Sequence, residues 1–379
     1  MNANDLANAI RALAYEAGFA ACRFARADIA PHAQQFDAWL ERGAHGSMDY
    51  LVRTRRQREH PDRVLPGAKS VIVLAVDYRG GGGTLPTWRE ELRGRIAAYA
   101  AGEDYHLVIR ARLQDLCAKL QSLDPAARYY ASVDSGPVLE RDWAWASGLG
   151  WFGRNTNILN ASLGSWFFLA VVLTTLEIAP DPMHPARCGR CTRCIPACPT
   201  GALDEHYVLD SRLCISYWTI EHRGTIPPAI RAHLGEWVFG CDICQDVCPW
   251  NLKRARAGHV TPLLDLHPFL PDLLELTDEE FRRRYRRTAL WRAKREGLAR
   301  NAAVVLGNTQ NPDAVRFLAR CLRSERSPVI RAHAVWALGR LATKEAADAL
   351  LAHRSVETDS GVLAEITQAL HDVERAGNP

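Results

Sequence analysis

The sequence has no long apolar segment. Its longest continuous apolar run is Trp166–Leu173, whereas a helix needs about 20 apolar residues to cross a bilayer. The first residues place Asp5 and Glu16 in a helical pattern and lack the apolar stretch of a signal peptide. Both absences predict a cytoplasmic protein without a membrane partner, in a compartment where disulfides rarely persist.

Three common catalytic motifs are also missing. The sequence has no Walker A loop, no H-E-x-x-H and no G-x-S-x-G. A G-x-G-x-x-G pattern is present at Gly148–Gly153, but the segment before it has a helical pattern, whereas a dinucleotide site needs a strand there. We therefore do not expect nicotinamide binding, and these glycines predict a sharp turn or a close backbone approach.

Acidic residues are scarce in one stretch of an otherwise balanced chain. The formal net charge of the 379 residues is only +4. Between Arg282 and Arg300, however, there are nine Lys and Arg residues and one acid, Glu296. Such a stretch attracts phosphates, and the alternative is a solvated helix face.

What is present in excess is cysteine, with eleven residues. Cys188, Cys191, Cys194 and Cys198-Pro199 follow C-x2-C-x2-C-x3-C-P, a bacterial ferredoxin run in which the fourth cysteine ligates the other cluster. A second run contains Cys241, Cys244 and Cys248-Pro249, with Cys214 upstream.

This spacing predicts two [4Fe–4S] clusters. One would be held by Cys188, Cys191, Cys194 and Cys248, and the other by Cys198, Cys214, Cys241 and Cys244. Zinc and disulfides are the alternatives, but neither explains the reciprocal C-P endings.

The pattern along the chain predicts three domains. In residues 1–180, the pattern predicts a helix within residues 5–22 that ends at Gly18 and a second helix over residues 108–123. It predicts strands at residues 70–76, 129–134 and 166–175. This alternation of strands and helices is typical of an α/β domain. The glycine-rich residues 80–83 predict a loop. Residues 181–260 carry the clusters, and residues 261–379 have a helical pattern.

The helical tail contains a repeat. Ala302–Gly307 matches Ala334–Gly339 at a spacing of 32 residues. Paired helices at a fixed period predict a short solenoid, which we describe as HEAT-like because the period is shorter than usual. A plain helical bundle is the alternative.

Several segments together resemble the epoxyqueuosine reductases, a family of cobalamin-dependent iron–sulfur enzymes that modify tRNA. The resemblance covers nearly the whole chain in the family's order. The segments are GEDYH (102–106), VDSGPVLER (133–141), GLGWFG (148–153), GSW (164–166), the two cysteine runs, TIEHRG (219–224), GCDICQ (240–245) and the HEAT-like tail.

The resemblance implies an α+β/α multi-domain fold. It implies a nitroreductase-like α/β cobalamin-binding domain, a bacterial-ferredoxin-like domain with two [4Fe–4S] clusters and C-terminal HEAT-like α-helical repeats that bind tRNA. The implied reaction is reduction of epoxyqueuosine to queuosine at the tRNA wobble position, by a monomer that takes electrons from an unidentified external donor.

The resemblance also implies a proton donor, Asp134, at the end of a predicted strand. Opening an epoxide leaves an alkoxide that needs a proton. We expect Asp134 to lie in a mostly apolar pocket that raises its pKa. The alternative is that Asp134 only caps the turn.

Further contacts follow from position in the family motifs. The resemblance implies base-off cobalamin, and the absence of a D-x-H-x-x-G motif, which would supply a lower histidine ligand, agrees with it. The expected cobalamin contacts are Arg58, Asp134, Asn155, Ile158, Leu169, Tyr217 and Gly240. The expected tRNA contacts are Arg141, Arg223, Lys294 and Arg295, with the other basic residues of the run pairing with phosphates (Arg282, Arg283, Arg284, Arg286, Arg287 and Arg292) and Tyr285 or Trp291 stacking on a base.

Two other functions are compatible with parts of the sequence. A corrinoid iron–sulfur reductase of small molecules, similar to the reductive dehalogenases, would not need the basic tail. A non-enzymatic ferredoxin-like electron carrier would leave the N-terminal domain and Asp134 unexplained.

Overall fold

The computed structural model describes residues 3–78, 85–204, 207–253 and 263–377. The predicted loop at residues 80–83 and the predicted domain boundary between residues 260 and 261 lie outside these ranges. Within them, no helix is both long and apolar enough to cross a membrane.

Helices dominate the second half of the described chain. The α-helices are α1 Ala3–Glu16, α2 Ala33–Glu41, α3 Asp49–Arg53, α4 Arg55–Glu59, α5 Tyr105–Leu123, α6 Glu140–Ala146, α7 Cys194–Ala197, α8 Pro228–Arg231, α9 Ile243–Asp246, α10 Pro249–Leu252, α11 Leu270–Leu274, α12 Asp278–Tyr285, α13 Lys294–Thr309, α14 Val315–Ser324, α15 Pro328–Leu341, α16 Lys344–Arg354 and α17 Ser360–Gly377. A π-helical turn spans Tyr217–Glu221.

The strands are concentrated in the first half. They are β1 Ala21–Arg26, β2 Ser70–Asp77, β3 Arg95–Ile96, β4 Tyr129–Ser132, β5 Trp151–Phe152, β6 Ile158–Leu159, β7 Phe167–Thr174 and β8 Trp237–Phe239. Strands β1, β2, β7 and β4 form one sheet in that order, and every pair in it is antiparallel. The predicted strands and helices are present, but β1 was not predicted.

The chain divides into two compact units, and both are discontinuous in sequence. The first unit contains residues 1–81, 103–212 and 243–260, and the second contains residues 82–102, 213–242 and 261–379. The predicted cysteine-rich domain, residues 181–260, is therefore divided between the two units.

The first unit is built on the four-stranded sheet. Side chains of β2 alternate between its faces: Ile72 and Leu74 pack with α1 and α5, while Val71 and Val73 pack with α6. All four are fully buried, as expected for a strand covered on both sides.

The residues after β7 remain attached to this sheet. In the Pro-rich residues 180–185, the Asp181 carboxylate accepts hydrogen bonds from the Arg11 guanidinium at 2.5 Å and from the Phe24 amide at 2.9 Å. Trp151 stacks on His184 and packs with Trp250. These contacts explain why no boundary between the units falls near residue 180.

The second unit contains the repeat, and its equivalent positions have equivalent structures. Gln310 and Ala342, 32 residues apart, both have positive φ after the first helix of a pair. A Cβ on Gly307 would lie 2.8 Å from Ala337 Cα, and one on Gly339 would lie 2.9 Å from Ala369 Cα. The repeated glycine thus permits each first helix to pack closely on the next.

Candidate active site and cluster ligands

Asp134 lies in a turn directly after β4. Its φ of 54° is left-handed, a conformation that Asp tolerates better than most residues. The side chain is 66% exposed. Because β4 is antiparallel to β7, the position of Asp134 comes from this turn and not from the carboxyl edge of a parallel sheet.

Two donors converge on one oxygen of Asp134. The Tyr105 hydroxyl donates to Asp134 Oδ2 at 2.5 Å, and His106 Nε2 lies 3.4 Å from the same oxygen. Both come from the first turn of α5. Tyr105 is positioned in turn by stacking on Phe168, with ring centroids 4.2 Å apart. The carboxylate is therefore oriented by side chains at the start of α5 and on β7.

Asp104 positions His106. Its Oδ1 caps α5 by accepting from the His106 amide at 3.0 Å, and it also lies 2.8 Å from His106 Nδ1. Partial burial lowers the pKa of His106, but the hydrogen bonds to Asp104 and Asp134 outweigh burial and raise the pKa to about 9. His106 is thus an imidazolium at neutral pH.

Glu140, at the start of α6, is a second carboxyl close to Asp134. Burial and then the negative charge of Asp134 raise the pKa of Glu140 to about 7. Its Oε1 accepts from Ser132 Oγ at 3.4 Å. The site therefore combines an exposed carboxylate, a charged imidazole and a carboxyl that titrates near neutrality.

One expectation about Asp134 is wrong. The sequence predicts burial in a mostly apolar pocket, whereas this side chain is largely exposed and its nearest partners are polar. The reason is the turn, which carries Asp134 past the last paired residue of β4, Ser132.

Of the predicted cobalamin contacts, the polar side chains in the first unit have protein partners. Arg58 is buried, and its guanidinium donates to Thr54 Oγ1 at 2.9 Å and to the Val138 carbonyl at 3.1 Å. Asn155 is also buried, and its amide donates to the Cys244 carbonyl at 3.2 Å. Both side chains are buried and hold backbone carbonyls in place by hydrogen bonds.

The apolar contacts differ in exposure. Ile158 on β6 is buried, whereas Leu169 on β7 is only partly buried. Leu169 packs on the sheet face of Val71 and Val73, opposite Phe168 and Tyr105. It is the more accessible of the two apolar residues.

In the second unit, packing alone accounts for the residue types at positions 217 and 240, Tyr217 and Gly240. Tyr217 is buried in the π-helical turn and packs against Trp218 and His222. Gly240 has a φ of 70°, and a Cβ there would lie 2.5 Å from Ala97 Cβ. The glycine is thus needed for packing within its own unit.

The first predicted cluster has its four cysteines in one unit. The thiols of Cys188, Cys191, Cys194 and Cys248 are close enough to interact electrostatically. Cys188 and Cys248 pack beside Trp151, and the Cys191 amide donates to the Cys188 carbonyl at 3.0 Å. This convergence is what a cluster spanning both cysteine runs requires.

The other four cysteines are divided between the units. Cys198 and Cys244 belong to the first unit, and Cys214 and Cys241 to the second. Among the described residues, no three His, Cys, Asp or Glu side chains are gathered as one metal ion requires. A [4Fe–4S] cluster spreads its thiolates over four irons and does not need such a close group.

The basic run of the second unit contains two kinds of side chain. Arg282, Arg283 and Arg286 are exposed and form no described ion pair, although the charge of Arg283 helps to lower the pKa of Glu280. Arg292 instead forms two hydrogen bonds with Glu221, at 2.6 and 2.8 Å. Arg284 lies 3.9 Å from Glu280.

Three predicted tRNA contacts are already engaged. Arg295 pairs with Glu325 through both terminal nitrogens, at 2.8 and 3.1 Å. Arg223 donates to the carbonyls of Ile220 and Ala293, and Arg141 donates to the Thr156 carbonyl. These contacts argue against Arg295 as a phosphate ligand, because a phosphate would have to displace Glu325.

Lys294 is exposed over the ring of Trp291. The two aromatic residues of the run, in contrast, pack inward. Tyr285 is buried, and Trp291 stacks on Phe281 with ring centroids 5.2 Å apart. A buried Tyr285 has no face for an RNA base.

The sequence did not assign roles to Tyr105, His106 or Glu140. All three lie in segments that carried the resemblance, GEDYH and VDSGPVLER. Three polar residues in a row at a helix start, Asp104 to His106, are the signal that could have identified the first two.

Comparisons with known proteins match the same regions. Residues 187–251 match a family model described as "4Fe-4S double cluster binding domain", and residues 287–371 match one described as "HEAT repeats". Residues 58–135 match "Epoxyqueuosine reductase QueG, DUF1730". The first two define an iron–sulfur protein with a helical-repeat tail.

Sequence relatives identify the family within this class of iron–sulfur proteins. Epoxyqueuosine reductase from Gloeobacter violaceus is 41% identical over 308 residues, covering 79% of this chain and 95% of that protein. The chain therefore belongs to the epoxyqueuosine reductase family, whose members are oxidoreductases.

Solved structures agree. An epoxyqueuosine reductase with an epoxyqueuosine-modified tRNA-Tyr stem loop has a TM-score of 0.89 and 29% identity, over 98% of this chain and all of that one. A structure from Bacillus subtilis, described as having its catalytic aspartate loop swung out of the active site, has a TM-score of 0.88 and 28% identity over the same shares. The predicted multi-domain α+β fold is confirmed.

Proposed function

We propose that this chain reduces the epoxide of epoxyqueuosine in tRNA and leaves the cyclopentene of queuosine. The observation that carries the proposal is the Asp134 carboxyl, which is exposed on a turn and oriented by Tyr105 and His106. The description of the Bacillus subtilis structure, with its catalytic aspartate loop, supports a role of this kind for an aspartate in the family.

Asp134 acts as the proton donor in this proposal. Opening of a C–O bond leaves negative charge on oxygen, and a carboxyl within hydrogen-bond reach transfers its proton there. The Tyr105 hydroxyl and His106 Nε2 both contact Oδ2 and orient the carboxyl group. Exposure of the side chain allows a substrate as large as an RNA loop to reach it.

Cobalamin is the proposed cofactor, in the base-off form that the family motifs imply. It supplies a strongly reducing cobalt centre when bound. Partly buried Leu169 would offer apolar surface to a large flat macrocycle, and Arg58 and Asn155 hold the Val138 and Cys244 carbonyls in place. Tyr217 and Gly240 are proposed contacts on the strength of the family motifs alone.

Two [4Fe–4S] clusters are the proposed electron carriers. The convergence of Cys188, Cys191, Cys194 and Cys248 supports the first cluster. The second, with Cys198, Cys214, Cys241 and Cys244, rests on the cysteine spacing and on the match to the double-cluster family. An external one-electron donor supplies them.

The RNA would be held by the basic run of the second unit. Arg282, Arg283, Arg286 and Lys294 are exposed cations of this run that form no described ion pair, and we place the phosphate contacts there. Arg141 and Arg223 stay in the proposal as contacts to the anticodon loop, because each keeps guanidinium N–H groups beyond the bonds described above. A monomeric, cytoplasmic protein completes the proposal, and size-exclusion chromatography tests the first of these properties.

The test is a direct assay. The protein, reconstituted with iron, sulfide and cobalamin under anaerobic conditions, is given a chemical reductant and a tRNA stem loop containing epoxyqueuosine. Nucleoside analysis by mass spectrometry should show queuosine. A Cys194→Ser variant is the control, because it lacks a proposed ligand of the first cluster. Absence of queuosine, in wild-type protein whose cluster and corrin absorbance are both correct, would contradict the proposal.

A further inference from the structure

The proposed reaction needs two protons, and one carboxyl holds only one. Conversion of an epoxide to an alkene and water consumes two electrons and two protons. The electrons come from the external donor through the clusters. The first proton goes to the oxygen when one C–O bond opens, and the second goes to the same oxygen when the other C–O bond breaks, the C=C bond forms and water leaves. A second proton must therefore reach the site in each turnover.

The structure places a charged donor beside Asp134. Asp104 Oδ1 lies 2.8 Å from His106 Nδ1, and His106 Nε2 lies 3.4 Å from Asp134 Oδ2. With a hydrogen on each ring nitrogen, these atoms form a continuous chain from one carboxylate through the imidazolium to the other. The His106 side chain is 21% exposed, so solvent can restore its proton.

The other titratable groups near Asp134 are less suitable. Tyr105 donates to the same oxygen, but a phenol is a far weaker acid than an imidazolium. Glu140 influences Asp134 through its charge, and its described hydrogen-bond partner is Ser132. Arg141 is a guanidinium, which does not give up a proton in proteins. His106 is the group that combines contact with Asp134 and a proton available near neutrality.

We propose that His106 is the second proton source of the reaction. Asp134 enters the turnover protonated and protonates the alkoxide oxygen. The carboxylate that this leaves then takes the Nε2 proton of His106 on Oδ2. Asp134, protonated again, delivers the second proton to the departing hydroxide, which leaves as water. Asp104 acts as a positioning residue that keeps His106 charged and aimed at Asp134. The inference rests on the proposed function and extends it by one residue.

Kinetics of the reconstituted enzyme test this role. Replacement His106→Gln keeps an amide that can donate a hydrogen bond to Asp134 but cannot transfer a proton. We expect a rate about 100-fold lower. In wild-type enzyme we expect the rate to decline as the pH rises through about 9, and this decline should be lost in the variant. His371→Gln, at an exposed position of α17, is the control and should leave rate and pH profile unchanged.

Chemical rescue separates proton transfer from positioning. In His106→Ala, added imidazole should restore at least a tenth of the wild-type rate, in proportion to imidazolium concentration. A slow His106→Gln enzyme with an unchanged pH profile, together with no rescue of His106→Ala, would overturn the proposal.

A measurement without turnover provides an independent check. NMR titration of the His106 ring should give a pKa near 9 in the wild-type protein and a value shifted toward 6.5 in Asp104→Asn. Both proteins should show the same corrin absorbance after cobalamin loading. No change in the titration would contradict the positioning role of Asp104. Failure of wild-type enzyme to form queuosine would reject the proposed function, whereas an active wild-type with an equally active His106→Gln would reject this inference alone.

Discussion

Asp134 in the first unit and Arg300 in the second are both charged residues that hydrogen bonds fix in place, but they differ in exposure. Arg300 is 1% exposed, and its guanidinium donates to the carbonyls of Trp218 at 2.6 Å and Gly224 at 2.8 Å. Burial lowers its pKa to about 10. Asp134 is 66% exposed, and groups that can exchange protons hold it.

The difference in exposure between Arg300 and Asp134 indicates that the first residue stabilises the fold and the second takes part in the reaction. A buried charge with satisfied hydrogen bonds holds backbone segments together, and its loss leaves those carbonyls without partners. An exposed charge contributes little to stability, so the donors around Asp134 are better explained by reactivity. The same division applies within the basic run, where Arg295 is paired and Arg282 is exposed.

The strongest challenge to this comparison is Asp134→Asn. Asn tolerates the left-handed backbone of this turn but cannot donate an acidic proton, so we expect a rate loss of about 100- to 10,000-fold. Because the side chain is exposed, the free energy of unfolding should change by less than about 0.5 kcal/mol. Single-turnover assays and urea unfolding measure the two quantities. A fast variant, or one that is strongly destabilised, would contradict the assignment.

Arg300→Met is the converse experiment. The variant removes the donor from the carbonyls of Trp218, His222 and Gly224, of which the first is buried and the other two are partly buried. We therefore expect a loss of about 3 kcal/mol in the free energy of unfolding. Arg323→Met, on an exposed face of α14, is the matched control and should cost less than about 0.5 kcal/mol. Equal stabilities of the two variants would show that Arg300 is not a structural anchor.

A glycine pair in α13 tests the packing of the second unit. Gly307→Ala places a methyl group 2.8 Å from Ala337 Cα, and overpacking of this kind costs about 1–3 kcal/mol. Gly297→Ala meets nothing closer than 3.7 Å, so the higher helix propensity of Ala should stabilise the protein by up to about 1 kcal/mol. Thermal unfolding should therefore shift in opposite directions. Shifts of the same sign would contradict close packing between the repeats.

The smallest effect is expected for the exposed arginines. Replacing Arg282, Arg283 and Arg286 by Gln should reduce the slope of log K against log salt, for tRNA binding, by about two to three units. The control replaces Arg26, Lys69 and Lys119, which have acidic neighbours, and removes the same charge. An equal change in both variants would show a general effect of net charge and no local RNA surface.

Tertiary contacts decided which residues surround Asp134 and which arginines are exposed. Tyr105 and Asp134 are 29 residues apart. They meet because α5 packs against strands β4 and β7 of the sheet. Likewise, Arg282 and Arg295 belong to the same basic run, but only the fold brings Glu325 to Arg295. Spacing along the chain carries no information about such partners.

The sequence by itself determined the features that depend on local spacing. The two cysteine runs, the 32-residue repeat, the buried strand β2 and the turn at Asp134 are all short-range patterns, because a cluster loop, a helix pair, a strand or a turn forms from neighbouring residues. Only the tertiary structure decided that the cysteine-rich segment is divided between two units, that Asp134 is exposed and that His106 reaches it. Each of these depends on distant elements meeting, and packing of the whole chain sets that arrangement.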